Sequence, residues 1–377
     1  MDWREEFFDF EDVTYLNVAT QAPLPRVAAK ALQAAAEWKK MPHRIPDDTY
    51  FGLPNRVRAL YARLINAAPE EIALGAGATS GLMAVAHGID WRPDDEVLLV
   101  AGEFPSHFSV FLPLAEAGRL KVKIVQPAGR FLAAEDFLPH IGPRTRLVST
   151  SLVRFNDAVR IDAARLAEAC HAAGAHLLLD ASQAVGAVPM DVRALGADFI
   201  VASAYKWLLG PFGTGFFWIR ADLIEQLRPA PFYWMAARGL EDFHAMGQGK
   251  WTPAPGARRW DSPETASFFN LAALEASLEF VLRAGAENVW QHNDRLVRQL
   301  IELLPRDRCI LASPADSAAR GPYVCIAGRS PEKTQELYQK LGAANIVVGL
   351  REGAVRIAPY LYNSERDMDR VLAALTT

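Results

Sequence analysis

Two apolar runs separated by a short connection constrain this chain more than any other feature. His176-Leu-Leu-Leu-Asp180 is followed by Asp198-Phe-Ile-Val-Ala-Ser203, and each run ends on residues able to do chemistry. Runs this short, apolar at successive positions, predict parallel strands buried on both faces. In an open α/β sheet the carboxyl ends of such strands form the edge where ligands bind. The first run delivers Asp180 to that edge, and the second delivers Ser203, Tyr205 and Lys206. A lysine at a strand end is by itself usually a solvated surface residue. Lys206, however, sits in the apolar setting Tyr-Lys-Trp-Leu-Leu, where desolvation lowers an amine's pKa and frees it to form an imine with a carbonyl.

The wider segment reads Asp180-Ala-Ser-Gln183, then Ser203-Ala-Tyr205-Lys206-Trp207, then Gly210-Pro-Phe-Gly213-Thr-Gly215. A lysine that holds an aldehyde and an acid that pairs with a pyridinium nitrogen are what pyridoxal phosphate requires of a protein. The pattern resembles the cofactor segment of the class V aminotransferase family of fold-type I pyridoxal phosphate enzymes, which includes cysteine desulfurases, kynureninases, isopenicillin N epimerase and several transaminases. The resemblance implies an α/β fold. A large cofactor-binding domain with a mostly parallel seven-stranded sheet would span residues 15–262, and a smaller α+β domain would combine residues 1–14 with 263–377. It implies that Lys206 carries the cofactor and then moves the Cα proton of an amino acid, and that Asp180 keeps the pyridine nitrogen protonated.

The remaining motifs fall in the same family order. In Ile72-Ala-Leu-Gly75-Ala-Gly77-Ala78-Thr79-Ser80-Gly81 a short strand runs through small residues into an apolar helix, whose first N–H groups make an anion site, although Gly and Ser also simply cap helices. It resembles the family's Gly-Thr-Thr-x-Gly element with Ala78 in place of the first Thr, which implies a phosphate held at Ala78, Thr79, Ser203 and Tyr205. Glu103-Phe104-Pro105-Ser106-His107 follows a strand near 96–101, and the family places a ring there against the pyridine face, with Phe104 the candidate and His107 its rival. Arg154-Phe155-Asn156 resembles a segment whose asparagine bonds the cofactor's ring oxygen and the substrate carboxylate. That role falls to Asn156, with Gln183 beside it, and a turn asparagine is the alternative. A single arginine in Ala354-Val-Arg356-Ile-Ala is costly unless an anion pairs with it, and its planar fork suits a carboxylate. By resemblance Arg356 binds the α-carboxylate. Thr20 either lines the substrate side or caps the turn into a helix near Pro25. Thr265, in Ser262-Pro-Glu-Thr-Ala-Ser267, stands where the family reaches a partner subunit's phosphate, which implies a homodimer.

A net charge of -4 gives no general attraction to nucleic acid or anionic membrane. No apolar run approaches the ~18 residues of a membrane helix, and the first residues carry acids, so a cytoplasmic location is expected. Cys170, Cys309 and Cys325 are far apart and show neither a disulfide framework nor metal-ligand spacing. The stretch Val347 to Gly353 leads to Arg356 without a cysteine, which disfavours desulfurization through a persulfide. Transamination is the expected reaction, with Cα epimerization and kynureninase-like β-lyase chemistry as alternatives. A catalytically inactive pyridoxal phosphate-binding sensor module is the alternative of another class, although the chain has no room for a winged-helix extension.

Overall fold

The structure is a computed structural model that describes residues 3–228, 233–240, 242–244, 252–264 and 267–376. Its centre is a seven-stranded sheet built from β1 (Ile72–Gly75), β2 (Glu96–Val100), β3 (Lys121–Val125), β4 (Thr145–Ser151), β5 (His176–Asp180), β6 (Phe199–Ser203) and β7 (Gly215–Ile219). The order across the sheet is β1-β7-β6-β5-β4-β2-β3. Pairings from β6 outward to β3 are parallel, while β7 runs antiparallel to both β6 and β1. The fold class expected from the sequence is the one observed.

The strands are apolar at successive positions because both faces of the sheet are covered. Leu98, Val100, Val148, Leu177, Leu179, Ile200, Ala202, Phe216 and Trp218 pack to one side. The intervening Val97, Leu99, Leu147, Leu178, Phe199, Val201, Phe217 and Ile219 pack to the other. Helices α1 (Arg26–Lys40), α2 (Thr49–Ile65) and α5 (Ala163–Ala172) lie against the first face, and α3 (Ala78–Gly88) and α4 (Pro105–Glu116) against the second.

A second, antiparallel sheet has the order β10-β11-β9-β8, from β8 (Ile310–Leu311), β9 (Val324–Ala327), β10 (Gly349–Arg351) and β11 (Ala354–Ile357). Its own core joins Val324, Ile326, Val355 and Ile357 to Leu296, Leu300, Met368 and Val371. The last four come from α7 (Ala286–Leu303) and α9 (Glu365–Thr376). Two details cut across the expected division of the chain. Helix α6 (Phe268–Ala284) buries Leu271, Leu274, Leu278 and Phe280 in the core of the large sheet, against α1 and α2. Conversely, Thr14–Tyr15 pairs in parallel with Ile346–Val347, so that strand joins the N-terminal segment and not β9. No described helix is long and apolar enough to cross a membrane.

Candidate active site

The carboxyl ends of β5 and β6 lie side by side, with Asp180 paired to Val201. Lys206 follows β6 by three residues and is buried, with Nζ 5.5 Å from the centre of the Phe104 ring and 5.7 Å from that of Tyr205. Burial pulls its ammonium down to about 8; Asp180 opposes this, and the charges of Arg356 and Arg351 add to it. The amine is therefore available near neutral pH. Asp180 is buried too, and its Oδ1 accepts the Ser182 N–H at 2.7 Å. Its Oδ2 lies 4.0 Å from Nε2 of His107, a fully buried ring whose Nδ1 bonds Ser149 Oγ at 2.8 Å and whose Nε2 has no hydrogen-bond partner among the described residues.

Phe104 reaches the cavity because the chain turns there: it caps α4, and Pro105 opens that helix where no N–H is needed. The turn is held by Glu103, a buried carboxylate that accepts bonds from Phe104 N, Thr150 Oγ1, Ser151 N and Ser151 Oγ. Burial pushes the Glu103 carboxyl up, but His107 and these donors outweigh it and hold it below its ordinary value. Phe104 lines the cavity and His107 lies beneath Asp180, so the geometry separates the two rival rings. Glu103 was not identified in the sequence, where an acid before Phe-Pro-Ser reads as a loop charge.

At the other end of Lys206, α3 begins at Ala78, whose N–H donates to Ser203 Oγ at 3.1 Å, and Thr79 Oγ1 lies 2.9 Å from Ser106 Oγ. Backbones approach closely here. A Cβ on Gly215 would stand 2.4 Å from Ala202 O and 2.7 Å from Gly77 Cα. Tyr205 flanks this end and stacks on Phe212, and burial raises its phenol.

The substrate side is a cavity of about 180 Å³ lined by Thr20, Phe104, Phe155, Lys206, Arg351 and Arg356, with Ala19, Gln183 and Tyr205 completing the wall. Arg356 is buried, and burial lowers its pKa. Its Nη1 donates to Phe155 O at 2.9 Å and its Nη2 to Thr20 Oγ1 at 2.7 Å, while Nε has no partner among the described residues. Gln183 is committed to the protein, donating to Ala19 O at 2.9 Å and accepting from Trp207 Nε1 at 2.8 Å. Asn156 is not brought to the cavity. Its Nδ2 donates to Glu352 Oε2 at 2.8 Å and to Gly102 O at 3.4 Å, and Phe155 takes the wall position instead. Both residues sit in a tight reversal in which Val153 bridges Arg160 and Ala158 adopts φ 63°, and Asn156 Oδ1 is buried there with no hydrogen-bond partner among the described residues. Arg351 was also missed. Thr265 lies outside the described residues, and no cluster of potential metal ligands occurs among those described.

These residues fit pyridoxal phosphate on structural grounds. A buried amine with a lowered pKa and a buried acid meet beside an aromatic ring, and a helix N-terminus with three hydroxyls lies at the far end. A model of the class-V aminotransferase family matches residues 14–371, and the chain belongs to that family, whose members are pyridoxal phosphate-dependent enzymes. It is 24% identical to an uncharacterized aminotransferase, YcbU, of Bacillus subtilis, over 97% of this chain and 94% of that one. It is 26% identical to isopenicillin N epimerase of Streptomyces clavuligerus, over 96% and 94%. Among solved structures, the cystine C–S lyase C-DES in complex with cysteine persulfide superposes with a TM-score of 0.87 at 25% identity, covering 96% of this chain and 97% of that one.

Proposed function

We propose that this protein is an aminotransferase that acts on a small amino acid held between Lys206 and Arg356. The observation that carries the reading is the buried Lys206, poised at about 8 and facing Asp180 and Phe104. When bound, pyridoxal phosphate supplies an electron sink for the pair left as a bond to the substrate's Cα breaks. Asp180 would hold the ring nitrogen's proton, with His107 behind it. Phe104 would cover the ring, and Gln183, fixed by Ala19 and Trp207, would border its edge. Ala78 N–H, Thr79, Ser203 and Tyr205 would hold the phosphate. Arg356 orients the carboxylate, and Lys206 Nζ takes and returns the Cα proton.

Phe104 and Phe155 in the cavity wall carry no exchangeable proton, but Tyr205, whose ring centre is 5.7 Å from Lys206 Nζ, and Thr20 bring hydroxyls to the same wall, so the solvent-deuterium measurement below separates transamination from epimerization. One observation disfavours desulfurization. Cys325, opposite Arg356 in the β9–β11 pairing, is buried with its thiol pushed up to about 12, first by burial, so it does not serve as a desulfurase nucleophile. We also infer a homodimer, because Met83, Phe212 and Phe269 are exposed on α3, beside Tyr205 and on α6. Sedimentation of a monomer at micromolar concentration would remove that inference.

The test is spectroscopic and chemical. Purified protein should show the visible absorbance of lysine-bound cofactor, and Lys206→Ala should lack it. Added amino acid should bleach that band with one equivalent of keto acid released. Solvent deuterium at an inverted Cα, or release of pyruvate with ammonia, would replace transamination by epimerization or elimination.

A further inference from the structure

Arg351 and Arg356 leave the same face of one hairpin. The turn between β10 and β11 is Glu352-Gly353, with φ of 44° and 78°, the left-handed values of a two-residue hairpin turn. It sets Gly349 opposite Arg356 and Arg351 opposite Ala354, and side chains two residues apart on a strand point the same way. Gly349 makes room for the pair: a Cβ there would stand 3.1 Å from Asn17 Oδ1 and 3.5 Å from Arg356 Nε. Both guanidinium groups converge on one hydroxyl, Thr20 Oγ1, at 2.7 Å from Arg356 and 3.1 Å from Arg351. Thr20 Oγ1 in turn bonds Asn17 Oδ1 at 2.7 Å, which fixes its position.

We propose that the substrate carries a second carboxylate: an amino acid with an acidic side chain, its α-carboxylate on Arg356 and its side-chain carboxylate on Arg351. This rests on reading the cavity as the amino-acid site.

Charge balance supports it. Among the described residues neither arginine is in an ion pair, and the neighbouring Glu352 is turned away to Asn156. The repulsion between the two is felt at Arg356, where Arg351 contributes to the lowered pKa. Lys206 feels both charges, which add to the lowering of its pKa that burial begins. Arg351 is the less buried of the two, partly exposed where Arg356 is buried. The start of α3, with Ser203 and Thr79, would hold the cofactor's phosphate, and this surplus of positive charge would remain unmet. An α-carboxylate on Arg356 would still leave Arg351 facing a cavity otherwise walled by Phe104 and Phe155, which suit the methylenes of a short acidic side chain. Its planar fork matches a carboxylate.

Calorimetric titration of the purified protein with glutarate and succinate, against butyrate, tests the two-anion site without needing turnover. Dicarboxylates should bind at least about tenfold tighter than butyrate, as expected for one further charge-assisted contact. Arg351→Gln should abolish that preference, and Arg351→Lys should restore part of it. In turnover, the ratio of kcat/KM for glutamate over glutamine, or aspartate over asparagine, should fall at least about tenfold in Arg351→Gln. Equal binding of mono- and dicarboxylates by the unaltered protein, or an equal loss of both in Arg351→Gln, would mean that the two arginines grip one carboxylate, and the proposal would fall. Failure of the underlying reading has a separate signature: no cofactor absorbance, whatever the carboxylate affinities.

Discussion

Burial acts directly on Lys206, and its consequences can be measured. Its ammonium is held at about 8, against an ordinary 10.5, first by burial and then by the two arginines. The neutral amine, the form that attacks an aldehyde, therefore dominates above pH 8 and not above pH 10.5. Capture of pyridoxal phosphate by cofactor-free protein should speed up through pH 8 and level off above it; a rise centred near 10.5 would show that the site does not desolvate the amine. Arg356→Ala should raise KM about ten- to a hundredfold, since a buried charge-assisted pair contributes about 1.5–3 kcal/mol. Arg356→Lys should recover little of this, because the flexible ammonium cannot replace a fork already pinned by Phe155 O and Thr20.

The same residues mark what was legible in the sequence. Asp180, Lys206 and Arg356 stood out because each ends or interrupts an apolar run, where a polar group has a restricted set of places to go, while Phe104 followed from the family resemblance of Glu-Phe-Pro-Ser. Asn156 and Arg351 did not stand out in this way, because each sits in a reversal whose parity decides which side chain faces the cavity. In the reversal that holds Ala158 at a positive φ, which an alanine seldom adopts, Phe155 and not Asn156 lines the cavity. For Arg351 a usable signal existed: Glu-Gly between two short strands is a hairpin turn, and its pairing puts Arg351 and Arg356 on one face. Without that pairing the stretch from Val347 to Gly353 reads only as a connection that lacks a cysteine.

At the scale of elements, the phosphate end depends on how tightly α3 rests on the sheet. Gly81 lies at the contact: a Cβ there would meet Val201 Cγ1 at 2.4 Å and Phe217 Cβ at 3.0 Å. Gly81→Ala should push the helix outward, destabilise the protein by about 1–3 kcal/mol, and weaken pyridoxal phosphate binding. Thermal melts with and without cofactor would show the helix start moving as a unit; unchanged cofactor affinity would mean that α3 plays no part in holding the phosphate. The central strands of the large sheet were legible because buried parallel strands are continuously apolar, whereas the count of seven was what the family resemblance implied. The partner of Ile346–Val347 was not legible, since a two-residue strand carries no pattern that specifies its neighbour. The allegiance of α6 was equally hidden, because a helix apolar on one side does not say which core will receive it.

Across the whole molecule, the cavity is assembled from two sheets, with Lys206 and Asp180 on the large one and Arg351 and Arg356 on the small one. Trp207 joins them. Fully buried, it donates to Gln183 and stacks on Tyr323 at 6.0 Å, while its carbonyl accepts the Tyr360 hydroxyl at 3.0 Å. Tyr360→Phe would leave that buried carbonyl without its Tyr360 donor at a cost of about 1–3 kcal/mol and loosen the spacing between the amine and the arginine. A lower urea midpoint together with a reduced kcat/KM is expected. A loss of stability with full activity would show that the two sheets hold their spacing without this bond.

The burial of Cys170, Cys309 and Cys325 has a practical side. All three thiols are free, and burial raises the pKa of each. The native protein should therefore be silent toward thiol reagents until it unfolds, which makes it a blank background for site-directed labelling. A single cysteine in place of Phe212, 62% exposed and stacked on Tyr205, would be the one position to accept a fluorophore, and its emission would report cofactor loading and subunit association from the same spot.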